Sequence, residues 1–166
     1  MSDLAAAVIE QARNKMLSES PAMIRECLGI LSEEEVWWRP NGGSNAVGNL
    51  VLHLCGATRH FLGRGVGGSD YVRDRDGEFA AKGPLPKADL LRAMEETLAE
   101  ADRILKGLTP ERLADVTRNI GVEMPVLACL LRMSHHWSYH TGQIVLITKQ
   151  LREGAVNDLM RRVMVK

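Results

Sequence analysis

Period-two alternation of apolar and polar residues, the mark of a half-buried strand, is nearly absent from this chain. Only two Tyr and two Phe occur among 166 residues, whereas Ala, Leu, Glu, Arg and Met, all good helix formers, are common. Such a chain has to bury its apolar surface by packing helix on helix. Four long helices are predicted. The first spans about residues 3–29, with Ser20-Pro21 as a point of interruption because proline lacks an amide hydrogen. The second opens at Asn45 as N-cap and continues through "AVGNLVLHLCGATRHFLG". The third covers Lys87 to Lys106 after "KGPLP" and stops at Gly107. The fourth runs from about Met124 to Glu153, with Pro125 tolerated in its first turn and Gly154 beyond its end. Ser32 to Glu35 reads as a capping box that opens a short turn closed by Pro40.

Between the second and third helices lies "RGVGGSDYVRDRDGEFAAKGPLP", rich in Gly, Asp and Arg. Loops of this length inside a compact domain are usually functional or disordered. This one is long enough to run back along a bundle, so the helices it joins need not be antiparallel neighbours. The expected fold is therefore all-α, a four-helix bundle with a long crossover loop, in a single domain over residues 1–166.

Charge and cysteine content narrow the function classes. Lys plus Arg equal Asp plus Glu at 21 each, mixed along the chain, which argues against nucleic acid or a membrane surface as partner. Cys27, Cys55 and Cys129 are odd in number and widely spaced, so free thiols are expected. The stretch "MSDLAAAVIEQARNKM" lacks the form of a signal peptide, and no apolar run approaches the roughly 20 residues of a membrane span. A cytoplasmic, soluble protein is the expectation.

Three of the five histidines cluster in "MSHHWSYHTGQI". On a helical wheel with His136 at zero, His140 lies about 40° away, Cys129 and Ile147 about 20°, and Met133 about 60°. His136 and His140 thus lie within the apolar stripe. His135 falls about 100° to the other side, on the flank with Tyr139 and Leu146. The i, i+4 spacing brings two imidazoles to one patch, as helices do when they present two ligands to a zinc-class ion. Catalytic sites of that class usually use three protein ligands and leave a fourth position open. His53, within about 60° of Leu50 and 40° of Ala57 on the second helix, also points inward and is the third candidate. His60 lies two turns on, about 10 Å along the axis, too far to share an ion with His53. Cys129 is similarly about 10 Å from His136 along its helix and reads as a small core residue.

Several segments, in order, carry a resemblance: "LSEEEVWWRP", "GSNAVGNLVLHL", "RDRDGEF" and "HHWSYHTGQI". Together they resemble the DinB-like (YfiT-like) family of metalloenzymes across most of the chain. The resemblance implies a four-helix bundle of unusual connection order. It also implies a divalent ion held by His53, His136 and His140, the three residues that helical phase also turns inward. Zinc is the usual ion for such a site, with nickel, iron or manganese as alternatives. Many relatives carry Arg directly after the last histidine where this chain has Thr141. Trp37, Arg39 and Pro40 match the family's W-x-R-P turn, where packing of the indole against the bundle end is expected.

Three neutral imidazoles would leave an ion its full charge, able to acidify a thiol or a water. Two enzymatic readings follow. The resemblance extends to transferases that use low-molecular-weight thiols such as bacillithiol or mycothiol, with Gln143 or the "RDRDGEF" loop contributing to the pocket. A hydrolase would need a general base, for which Asp76 or Glu78 is available. A third reading is a non-catalytic, stress-linked metal-binding bundle. A homodimer is compatible with each. Substrate, native metal and catalytic residues are not specified by the sequence.

Overall fold

The computed structural model describes residues 2–83 and 85–164; Pro84, in the predicted "KGPLP" lead-in, lies outside them. The described chain is helical, and its only extended pairing is an isolated bridge between Val116 and Pro125. Helix α1 occupies residues 2–30 as Ser2–Arg13, a π-helical turn Asn14–Glu19 and Ser20–Ile30. Helix α2 occupies residues 47–64, with a second π-helical turn at Arg59–Arg64. The short α3 (Arg75–Ala80) interrupts the crossover, followed by α4 (Lys87–Lys106), α5 (Val126–Leu151) and a terminal α6 (Leu159–Met164).

Local chemistry explains most of these boundaries. Pro21 has no amide hydrogen for the carbonyl one turn earlier, and the helix accommodates it by widening upstream, where the Ser20 amide reaches Lys15 five residues back. The capping box forms as expected: Ser32 N–H donates to Glu35 Oε2 at 2.8 Å, and Glu35 N–H to Ser32 Oγ at 3.2 Å. Helix α4 begins at Lys87 and ends before Gly107, as its sequence predicts. Asn45, in contrast, does not cap α2. The helix starts at Val47, and Asn49 reaches back from inside it to accept the Ala46 N–H at 3.2 Å. No helix among the described residues is long and apolar enough to cross a membrane.

Cross-helix contacts fix the chain's direction in the bundle. Arg59 pairs with Glu96 and Glu100, and further along Gly67 abuts Ile104; residue numbers rise together, so α2 and α4 are parallel. Arg13 meets Asp102 while Arg25 meets Glu95, so α1 and α4 are antiparallel. Cys129 Sγ lies 3.5 Å from the Phe61 carbonyl, and Trp137 Nε1 donates to Thr58 Oγ1 at 3.0 Å, so α5 opposes α2. The order is up, down, down, up. Only a return along the bundle can connect two parallel neighbours, which is why the segment between α2 and α4 is long. Trp137, Ile24, Leu54, Met94 and Leu130 fill the interior between the four helices.

Candidate metal centre

The crossover is pinned to α2 by a buried polar clamp. Asn49, completely buried, donates from Nδ2 to the Glu78 carbonyl at 3.0 Å and the Ala81 carbonyl at 2.7 Å. Arg39 Nη2 donates to Asn49 Oδ1 at 2.9 Å and to the Ala81 carbonyl at 3.0 Å. Thus the turn before α2, the first turn of α2 and the end of α3 are tied together. Trp37 seals the same end, its ring against Gly48 and Gly83 and its Nε1 donating to the Leu85 carbonyl at 3.1 Å. The expectation of packing for this indole holds. Asp74 starts α3 by accepting the Gly77 N–H at 2.9 Å, which turns the next residue, Glu78, into the bundle.

Glu78 reaches His53. Its Oε2 is 2.8 Å from His53 Nδ1, and Arg73 donates from Nε to Oε1 at 2.7 Å and from Nη2 to Oε2 at 2.8 Å. Burial opposes ionisation of this carboxyl, but the bonds from Arg73 and His53 prevail and hold it below its ordinary range. An ionised carboxylate only accepts, so this contact favours a proton on His53 Nδ1, although Arg73 Nη2, itself a donor, also lies 3.0 Å from that nitrogen. Space for the carboxylate comes from Gly56: a Cβ there would sit 1.9 Å from Glu78 Oε1.

The His53 ring lies beside those of His136 and His140. Ring centroids are 4.8 Å from His53 to His136, 4.9 Å from His53 to His140, and 4.5 Å between the two α5 histidines. One nitrogen from each ring lies within 4.8 Å of the others, an arrangement that could hold a metal ion. His140 Nδ1 donates to Gln143 Oε1 at 2.6 Å, which leaves its Nε2 unprotonated. His136 Nε2 is buried without a hydrogen-bond partner. Burial, reinforced by His140 and His53, pushes His136 down to about 4, and burial lowers His140 as well. Two of the three rings are therefore neutral at pH 7 because charge is disfavoured there. An orphaned ring nitrogen among converging imidazoles fits a cation.

The remaining predicted residues separate cleanly. His60 Nε2 bonds the Ile120 carbonyl at 3.2 Å, and His135 is exposed on the flank with Tyr139 and Leu146. Cys129 is wholly buried and outside the histidine group. Asp76 is exposed. The place of Glu78 as the hydrogen-bond partner of His53 is not visible in the sequence, since it depends on the crossover's path. The Asp74 cap before "RDGEFA" was its one local signal. Phe79, adjacent to Glu78, covers His53 with a ring centroid 4.6 Å away, and Arg75 lies over Phe79 at 4.9 Å.

A family model described as the DinB superfamily matches residues 16–144. No curated protein matches the chain. Among solved structures, a DinB-like protein from Bacillus cereus superposes with a TM-score of 0.64 at 16% identity, over 80% of this chain and 86% of that one. A DinB-like protein from Bacillus subtilis gives 0.63 at 18% identity, over 85% and 91%. A conserved protein from Enterococcus faecalis gives 0.60 at 14% identity, over 90% and 95%. At these identities the likeness is one of fold.

Proposed function

The chain belongs to the DinB superfamily, and from that premise we propose that it is a metal-dependent enzyme acting on a low-molecular-weight thiol. His53, His136 and His140 would hold a divalent ion, zinc first among zinc, nickel, iron and manganese. The observation that carries the reading is the convergence of the three rings, with His136 Nε2 left without any partner. When bound, such an ion supplies positive charge that acidifies a thiol or a water.

The protein's own groups favour the thiol. A free thiol titrates near about 8.5, so modest acidification makes it a thiolate at pH 7 without help from a protein base, whereas activated water needs one. The carboxylates expected to serve as that base are not placed for it. Both oxygens of Glu78 are engaged by Arg73 and His53, and Asp76 is exposed. Glu78 instead fixes the ring and tautomer of His53, as carboxylate partners of ligating histidines do. A closed structural site would need a fourth protein ligand, and the candidate group among the described residues contains three histidines alone.

The test has two stages. Elemental analysis of protein purified without an affinity tag should find a divalent metal in wild type and little in His53→Ala or His136→Ala. Wild type that carries none, and takes up no zinc, nickel or manganese, would overturn the metal reading. Fully metallated protein should then consume a cellular thiol in the presence of a test electrophile; consumption of none of the common ones would remove the thiol reading.

A further inference from the structure

A cleft of about 330 Å³ lies on the α1 side of α5, whereas the histidines lie on its α2 side. That volume is at the small end of ligand sites, which run from about 300 to 1,000 Å³. Met23, Val145, Val156 and Leu159 give it apolar walls, Val156 from the segment that leads into α6 and Leu159 as that helix's first residue. A Cβ built on Gly142, which also lines the cleft, would meet no atom within 4 Å.

Two side chains do not suit an apolar wall. Ser20 and Thr141 are 0% and 3% exposed, both line the cleft, and neither hydroxyl has a hydrogen-bond partner. Other buried hydroxyls on these helices behave differently: Thr58, Thr97 and Thr148 each donate to the carbonyl four residues earlier. Ser20 directly follows the π-helical turn of α1, whose extra residue rotates everything after it and turns Ser20 toward α5. Buried hydroxyls without a partner are uncommon, and two of them beside one cavity point to a ligand.

The charges around the cleft indicate what kind. Lys15 is paired with Glu19, while Lys149 and Asp158 are of opposite sign, so neither an anion nor a cation is favoured. We infer that this cleft is a second binding site, for a small uncharged amphiphile whose aliphatic body packs on Met23, Val145, Val156 and Leu159. Its hydroxyl or amide head exchanges hydrogen bonds with Ser20 and Thr141. The inference is independent of the metal reading, because no histidine lines the cleft.

The test titrates 1-hexanol into the full chain and follows backbone amide shifts. Saturable changes centred on Thr141 and Gly142 are expected, with hexanoate at least about tenfold weaker. Thr141→Val keeps the side chain's shape and removes its hydroxyl, so 1-hexanol should bind roughly three- to tenfold more weakly. Val145→Phe leaves both hydroxyls in place and fills the cleft from a half-buried position, which should abolish binding whether or not Thr141→Val folds. His53→Ala should bind as wild type does. Shifts that fail to saturate, that centre elsewhere, or that persist in Val145→Phe would overturn the inference, as would equal affinity for 1-hexanol and hexanoate.

Discussion

Replacing Glu78 with Gln isolates the role of one buried charge. The side chains of Glu78 and His53 are each 8% exposed and that of Arg73 is 12%, so solvent screens this triad little. The amide retains one acceptor but presents an NH₂ to either Arg73 or His53, and the guanidinium loses its counter-charge. Breaking a buried pair from one side costs about 3–5 kcal/mol; with one acceptor kept, about 3 kcal/mol is expected. For a chain of this length that corresponds to a fall in Tm of roughly 6–12 °C in the metal-free protein. The same change frees the His53 ring to adopt the other tautomer, so zinc affinity measured against a chromophoric chelator should fall about 10- to 100-fold. Glu95→Gln is the control. It removes the partner of Arg25 in an exposed pair, 40% and 52% accessible, and should cost at most about 1 kcal/mol. If Glu78→Gln melted within about 2 °C of wild type and bound zinc with unchanged affinity, the assignment of Glu78 as the group that orients His53 would be wrong.

Gly56→Ala sets helix propensity against packing: propensity alone predicts about 1 kcal/mol of stabilisation, but the new Cβ would lie 1.9 Å from Glu78 Oε1. Thermal melts should show destabilisation and chelator competition weaker zinc binding, whereas Gly29→Ala, with nothing within 4 Å of its Cβ, should be neutral or stabilising. The metal-free protein should lose stability as pH falls from about 6.5 toward 4, because unfolded histidine takes up a proton in that window while burial keeps His136 neutral down to about 4. Denaturant titrations across that range should show the loss reduced in His136→Asn; a flat profile in wild type would contradict the buried, neutral ring. Burial pushes the thiols of Cys55 and Cys129 up to about 11 and raises that of Cys27, so a thiol-specific chromogenic reagent should label none in the native protein and three after denaturation.

Much of this site can be read before folding because helical phase is a local property. The 100° step between residues separates His136 and His140 from His135, and the structure keeps that separation. The same phase assigns His53 to the interior and, with axial rise, keeps His60 and Cys129 apart from the histidine group. Helix ends are less legible when a side chain acts from within: Asn45 has the better sequence position for a cap, yet Asn49 does the work because it also satisfies carbonyls of the crossover. Trp137, about 100° from His136 on the wheel, is fully buried. Its indole N–H is satisfied by Thr58, a residue on another helix.

By itself, then, the sequence determined an all-helical chain, the four long segments, and which histidines face inward, since each follows from periodicity and capping within a few turns. Only the tertiary structure decided that α2 and α4 run parallel, that the crossover therefore returns along the bundle, and that Glu78 and Arg73 thereby arrive behind His53. It also decided that Ser20 and Thr141 share a cleft. These outcomes join residues tens to more than a hundred positions apart, and the packing that brings them together leaves no period in the chain.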